Sequence, residues 1–191
     1  MASTTDRVLY GVTQINILGL DTDGSADASA TEYEIDNPQS VSIAAVYEGG
    51  ERNVLRGGDD LVAVIEEDDK LIGFDINLTT AELMPEVDET ICGGTATPAS
   101  SKWESPTSSS DEAYPFEMEM WVKNYDESDS NSTQDGYIKF TFNFCKGRRG
   151  NQDVGDKSFS TPSYFIKARK NISSSEDIEP AMEYEKVTSI S

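Results

Sequence analysis

The sequence contains no histidine and only two cysteines, Cys92 and Cys145. The lack of imidazole excludes Ser-His-Asp and Cys-His catalysis, and it excludes every zinc site that needs a histidine ligand. Two cysteines cannot close a zinc site alone, and no glycine-rich segment has the spacing of a phosphate-binding loop. We therefore expect a protein that is not an enzyme and holds no cofactor or metal. A paired-carboxylate glycosidase stays open, because its two acidic residues need not be adjacent in sequence.

Basic residues are scarce and unevenly placed. The chain has 15 Lys and Arg against 36 Asp and Glu, which gives a net charge of −21 and disfavours direct binding to nucleic acid. Residues 1–96 carry 20 acidic and 4 basic side chains, net −16, and residues 97–191 carry 16 and 11, net −5. This polarity favours head-to-tail self-association, since complementary patches steer contact and fix its register. A merely solvated acidic surface is the alternative interpretation.

Long hydrophobic runs are also absent. No apolar segment reaches transmembrane length, and the first residues lack the apolar region of a signal peptide. We expect a soluble protein that is made in a cytoplasm, with both cysteines reduced and buried.

The clearest pattern in the chain lies between residues 57 and 94. Residues 61–65 form an apolar run, the acidic turn EEDD follows, and residues 72–78 alternate apolar and polar side chains as a half-buried strand does. Pro85 is typical of a first helical position, and Gly93 is typical of a helix end. Met84, Val87 and Ile91 form the apolar stripe, so this segment predicts a short helix that lies across one face of a sheet.

The rest of the chain reads as further strands. We expect strands at residues 7–20, Glu32–Ile35 and 40–48, a strand at 51–55 that returns antiparallel to 40–48, and a long strand at 157–170. Residues 115–125 and 137–147 predict a hairpin, in which Phe140, Phe142 and Phe144 share one buried face. The total is about eight or nine strands in one domain over residues 1–191, with a mainly β fold and one flanking helix.

Several polar segments predict long loops, near residues 21–31, 95–113, 126–136 and 147–156, and a polar tail at 171–191 with a short strand at 182–187. Acidic clusters at residues 21–24 and 129–131 partly match calcium-binding loops. Neither has the full set of oxygen ligands at the required spacing, so no calcium site is expected there.

Taken in order, the segments of the chain resemble the major tail protein, or tail tube protein, family of long-tailed bacteriophages. The resemblance covers roughly residues 6–170 and rests on the order and spacing of several segments rather than on one motif. These segments are RVLYGVTQINI, VSIAAVYEGGERNVLRGGDD, KLIGFDINLTTAELMPEVDETICGG, WVKNY with YIKFTFNFCKGRRG, and KSFSTPSYFIKAR. The long 95–113 segment and the high acidity depart from the family pattern.

The resemblance implies a β-sandwich or partly open barrel whose copies form hexameric rings stacked into a tube. It implies a virion tail location after synthesis in the host cytoplasm, with no membrane partner. The other implied partners are the tape measure, tail terminator and distal tail proteins, while genomic DNA passes through the tube without specific binding. An acidic wall is what such a channel needs, because it repels phosphate. The alternative is a monomeric β-sandwich binding or adhesin module that uses its long loops.

Two sets of residues are therefore candidates for function. The candidate lumen-facing carboxylates are Glu48, Glu51, Asp59, Asp60, Glu66, Glu67, Asp68, Asp69, Glu117 and Glu119. The candidate inter-subunit cations are Lys146, Arg148, Arg149, Lys167, Arg169 and Lys170.

Overall fold

The computed structural model describes residues 7–25, 27–50, 52–57, 60–108, 111–126, 134–152, 154–157, 159–172 and 179–190. The fold is mainly β, as the sequence predicts, with one short helix. The described residues form twelve strands rather than eight or nine. The elements are β1 Arg7–Gly19, β2 Glu32–Ile35, β3 Pro38–Glu48, β4 Arg52–Gly57, β5 Asp60–Glu66, β6 Lys70–Thr80, α1 Pro85–Cys92, β7 Thr95–Thr97, β8 Lys102–Glu104, β9 Phe116–Asp126, β10 Gln134–Arg149, β11 Ser163–Arg169 and β12 Glu183–Val187.

Eight of these strands form one antiparallel sheet in the order β2-β1-β9-β10-β11-β6-β3, with β12 paired to β10. The 16-residue strand β10 is central. Its first half pairs with β9 on one edge and β12 on the other, and its last residues pair with β11. Strands β11 and β12 therefore lie end to end along the same edge of β10. The sheet curls, since β1 and β3 come into contact across its concave side.

The core lies on the concave face of this sheet. It is built from the inward side chains of β1, β6, β9, β10 and β11 and is covered by α1. Its members with the least exposure include Ile15, Ile17, Ile76, Leu78, Val87, Ile91, Phe116, Met118, Phe142, Tyr164 and Ile166.

The helix matches its sequence prediction. It begins at Pro85 and buries Val87 and Ile91 against the sheet. Gly93 ends it with a φ of 75°, a left-handed conformation that glycine adopts without steric cost. The Gly93 N–H donates to the Glu89 carbonyl at 2.8 Å, which satisfies one of the carbonyls left free at the helix end.

The β9–β10 hairpin is confirmed, but the expected burial of Phe144 is wrong. The pairing between β9 and β10 shifts between Phe142 and Cys145, which is a β-bulge. An extra residue in a strand reverses the face on which later side chains lie. Phe142 and Cys145 are therefore both buried, while Phe144 is half-buried on the opposite face, beneath the Lys146 ammonium. Both cysteines are free, as expected.

The expected pairing of residues 51–55 with the preceding strand is also wrong. Strand β3 pairs with β6, and β4 pairs with β5 as a separate hairpin inserted between them. The two chains that lead into this hairpin pass close together at Gly50, where an added Cβ would lie 1.7 Å from the Glu67 carbonyl oxygen. In this pair β6 buries Ile76 and Leu78 in the core, and Val41 of β3 packs partly against them.

Three predicted loops contain regular structure. Residues 95–113 include the hairpin β7–β8, joined by a 3₁₀ turn at Pro98–Ser100 and packed near α1. Strand β10 extends into the segments expected as loops on both of its sides. The predicted strand at 157–170 is shorter, because β11 begins only after Pro162, which lacks the N–H that a sheet requires.

The bulge in β10 generates a prediction about stability. The Phe142 ring is fully buried and meets the Phe74 ring edge to face at a centroid distance of 6.4 Å. We expect Phe142→Ala to lower the free energy of unfolding by about 3–5 kcal/mol, because it leaves a cavity. The matched variant Phe144→Ala should cost about 1 kcal/mol or less. Urea unfolding of both variants measures the difference, and equal losses would contradict the bulge.

Candidate functional site

Six glutamates lie together on the convex face of the sheet, on its β2, β9 and β12 strands. The strand registers set Glu32 and Glu117 on either side of Leu18, and Glu34 and Glu119 on either side of Asn16. Cross-strand neighbours share a face, so these side chains all lie opposite the core. We call this set the acidic face, and it consists of Glu32, Glu34, Glu117, Glu119, Glu183 and Glu185.

Each of the three strands contributes its pair through the same local pattern. The sequence reads Glu-x-Glu at 32–34, 117–119 and 183–185, and alternate residues of a strand lie on one face. The sequence prediction included only Glu117 and Glu119. The repeated pattern is the signal that could have found the other four, but its three copies meet only through long-range strand pairing.

The acidic face is electrostatically crowded at its centre. Asn16 Nδ2 donates to Glu32 at 2.6 Å, and Lys139 forms an ion pair with Glu119. Glu117 is half-buried beside them, and burial, followed by repulsion from Glu119, raises the pKa of its carboxyl, while Lys139 partly offsets this rise. Glu32, Glu117 and Glu119 line a shallow depression of about 140 Å³.

A second surface lies on the convex side of β10, β11 and β6 and has the opposite charge. Lys146 stands directly across from Lys167, and Arg148 stands across from Phe165. These four residues line a groove of about 340 Å³, which we call the cationic groove. The Arg148 guanidinium lies 5.5 Å from the centre of the Phe165 ring, a distance typical of a cation–π contact. Among the described residues, Lys146, Arg148 and Lys167 form no ion pair.

Two of the six candidate cations form ion pairs with carboxylates of the same chain. Arg169 pairs with Asp75 at 3.0 Å and donates to two backbone carbonyls. Arg149 lies on the core side and pairs with Asp88 at 3.0 Å. Lys170 is exposed at the end of β11. The structure thus brings Lys146, Arg148 and Lys167 together in one groove and gives Arg149 a structural contact.

The contact of Arg149 belongs to a polar network that fixes α1 to the sheet. The Tyr164 hydroxyl donates to Asp88 at 3.0 Å, and Arg149 lies 5.2 Å from the Trp103 ring centre. Burial raises the pKa of Asp88, and the charge of Arg149 and the Tyr164 hydrogen bond partly counter it. Burial, followed by the nearby Asp88 charge, raises the pKa of Cys92 to about 12, which keeps this thiol protonated and unreactive at neutral pH.

The remaining candidate carboxylates form a separate group. Glu48 and residues 66–69 are exposed near the base of the β4–β5 hairpin, and Asp69 accepts the Gly50 N–H at 3.0 Å. Strands β10 and β11 separate this group from Glu117 and Glu119 in the sheet order. Glu51 and Asp59 lie outside the described residues, and Asp60 is described only for its backbone in β5.

No metal centre is found in the part of the chain that the structure describes, where no three His, Cys, Asp or Glu side chains are placed so that they could hold a metal ion. Of the two acidic loops considered for calcium, residues 129–131 lie outside that part. In the other loop, the Asp23 carboxylate accepts the Ser25 backbone N–H at 2.9 Å and its hydroxyl at 2.7 Å, which is a local turn. No helix among the described residues is long and apolar enough to cross a membrane.

Comparison with known proteins gives no family for this chain. No family model matches it, and no curated protein matches its sequence.

The contrast between Arg149 and Arg148 generates a prediction. We expect Arg149→Met to lower the free energy of unfolding by about 3 kcal/mol at neutral pH, because it leaves the buried Asp88 charge unpaired. Arg148→Met should change it by about 0.5 kcal/mol or less, as for an ordinary surface site.

The loss of unfolding free energy in Arg149→Met should depend on pH. Burial already raises the pKa of Asp88, and loss of Arg149 raises it further, so the variant binds a proton at Asp88 more readily when folded. Its deficit should be full above that pKa and should shrink as the pH falls through it. Urea unfolding of both variants from about pH 4 to about pH 8 measures how this deficit in the free energy of unfolding changes with pH. A deficit that is equal at both ends would refute the role of Asp88.

Proposed function

We propose that this chain is a tail tube subunit of a long-tailed bacteriophage, a non-catalytic structural protein that forms stacked hexameric rings around an acidic channel. The observation that carries the proposal is the division of the convex sheet surface into an acidic face and a cationic groove. A subunit with two surfaces of opposite charge can associate head to tail, and such an interface repeats without limit or closes into a ring.

The acidic face suits the wall of a DNA channel. Six glutamates with Lys139 between them leave the surface negative, and it would be repeated in every subunit. DNA carries a dense line of phosphates, and lysines or arginines on the wall would bind many of them at once. A negative wall avoids such binding and lets DNA move. In this proposal Glu117 and Glu119 face the lumen together with Glu32, Glu34, Glu183 and Glu185.

Open strand edges support association between copies. Strand β3 is the last strand of the sheet, and the first half of β1 has a partner only on its β9 side among the described residues. Exposed apolar side chains accompany both edges, including Tyr10 on β1 and Tyr47 on β3. An unpaired edge with apolar side chains favours strand pairing with another chain. The tape measure, tail terminator and distal tail proteins would be the further partners of such a tube, through which genomic DNA passes.

A binding module is the second candidate, and one observation favours it. A cleft of about 550 Å³ lies between the loop after β1, the last turn of α1 and Tyr114. Tyr33 and Tyr114 line it beside Asp21, Asp27 and Glu89, which would suit a cationic or sugar-like ligand. A binding module would stay monomeric at concentrations at which a tube subunit assembles.

The first test is assembly. We expect the purified protein to form rings or tubes as its concentration rises at moderate salt, as seen by analytical sedimentation and negative-stain electron microscopy. A protein that stays monomeric under these conditions, even with tail initiator proteins present, would contradict the proposal.

The second part of this test concerns the channel wall. We expect tubes of the double variant Glu117→Lys, Glu119→Lys to retain short duplex DNA about tenfold more than the unmodified tubes at low salt, and less as salt rises. The control Glu112→Lys, Asp156→Lys changes the net charge equally at two exposed loop positions. Equal retention by both variants would refute the lumen assignment of Glu117 and Glu119.

A further inference from the structure

The cationic groove is electrostatically unsatisfied within the described chain. Lys146 and Lys167 are directly opposite each other on adjacent strands, an arrangement of like charges that destabilises a sheet. Asp75 also lines the groove, directly across from Lys167, but its carboxylate pairs with Arg169 at 3.0 Å. Phe165 is 43% exposed between the cations, although it is a large aromatic. Cations around an exposed apolar ring fit a partner that presents carboxylates beside an apolar side chain.

The same chain carries a segment with this complementary chemistry. Residues 66–69 are four consecutive exposed carboxylates, Glu66, Glu67, Asp68 and Asp69, which we call the acidic turn. Ile65, which precedes them, is 65% exposed. The Gly50 N–H holds the Asp69 carboxylate at 3.0 Å, and this contact ties the acidic turn to the end of β3. The turn is therefore an exposed segment that is anchored at the base of the β4–β5 hairpin, whereas the groove is concave.

The acidic turn cannot reach the groove of its own subunit. Lys167 of the groove lies beside Asp75 in β6, and β6 begins at Lys70. Five residues of strand span about 17 Å, and the acidic turn lies beyond Lys70 in the direction away from the groove. Strand β6 is paired with β3 from Lys70 onward and with β11 from Gly73 onward, so it holds the two surfaces apart.

We propose that the acidic turn of one copy docks into the cationic groove of a second copy, with Ile65 covering Phe165. This assignment rests on the proposed function and names the contact that would join neighbouring subunits. The contact is heterologous, because a different surface of each copy takes part, and such contacts build rings or filaments rather than closed dimers. It assigns Glu66, Glu67, Asp68 and Asp69 to the contact between subunits rather than to the channel wall. A nucleic acid backbone is the competing occupant of the groove, and the net charge of −21 disfavours it.

The test uses two variants of the full chain that should each fail alone and assemble when mixed. The groove variant carries Lys146→Glu and Lys167→Glu, and the turn variant carries Glu66→Lys, Glu67→Lys and Asp68→Lys, which makes the turn net positive. In either variant alone, the two surfaces have the same sign and repel. In the mixture, the altered groove of one variant meets the altered turn of the other, and the two unaltered surfaces also meet.

Two control variants change the net charge by the same amount as the test variants, but at other positions. Lys102→Glu with Lys157→Glu matches the groove variant, and Glu82→Lys, Glu112→Lys and Asp156→Lys together match the turn variant, all at exposed positions outside both surfaces. Circular dichroism and thermal melting check that every variant folds as the unmodified chain does. Sedimentation then gives the protein concentration at which assemblies first form.

We expect the groove variant and the turn variant each to raise that concentration by about tenfold or more, the controls to leave it unchanged, and the equimolar mixture to restore it. If the unmodified chain assembles and both variants assemble equally well alone, the docking contact is wrong while the proposed function stands. If the mixture does not restore assembly, the groove has another occupant and the docking contact is again wrong. Retention of duplex DNA by the unmodified chain, abolished in the groove variant, would identify nucleic acid as that occupant. An unmodified chain that never assembles overturns both proposals.

Discussion

The pairing along β10 is the constraint on which the rest of the structure depends. This strand is long enough to hold β9 along one edge and both β12 and β11 along the other. Its first half therefore places Lys139 and Thr141 among the glutamates of β9 and β12, and its last residues place Lys146 and Arg148 beside β11. Because one strand runs through both surfaces, a change in its register would move the acidic face and the cationic groove together. The bulge after Phe142 lets the same strand keep Cys145 in the core beyond that point.

The distribution of charge is costly to the isolated subunit. A carboxyl whose pKa is raised by folding, as that of Glu117 is, lowers stability at neutral pH relative to acid pH. Lys146 and Lys167 repel each other across β10 and β11. Neither arrangement helps the chain to fold, whereas the Arg149–Asp88 pair and the Tyr164 hydrogen bond tie the helix to the sheet. Charges that oppose folding and lie on a convex surface are typical of groups that serve an interaction, and this is why the proposed function rests on them.

The sequence predicted elements whose signals are local. The helix at 85–92, the β9–β10 hairpin and the strand at 32–35 all follow from alternation, proline and glycine within short segments. The predictions that were wrong concern features that depend on contacts between residues far apart in the sequence. Strand β3 pairs with β6, which is distant in sequence, rather than with the neighbouring β4. Phe144 is not in the core, because a bulge that no local pattern marks reverses the face on which it lies. Arg148 and Arg149 are adjacent and identical in the sequence, but they lie on opposite faces of β10. Arg149 pairs with the buried Asp88, whereas Arg148 lines the cationic groove and forms no ion pair with any described residue. The acidic face was found only in part, because its three Glu-x-Glu pairs meet through strands far apart in the chain.

The central claim is that the convex surface of the sheet sets both the channel and the contact between subunits. A cryo-electron microscopy reconstruction of the assembled, unmodified protein tests it most directly. The account predicts sixfold rings in which β2, β9 and β12 turn their convex side toward the channel. The acidic turn of one copy should lie in the cationic groove of the next copy. A reconstruction with the acidic face on the outer wall, or with β10 and β11 open to solvent in every subunit, would contradict it.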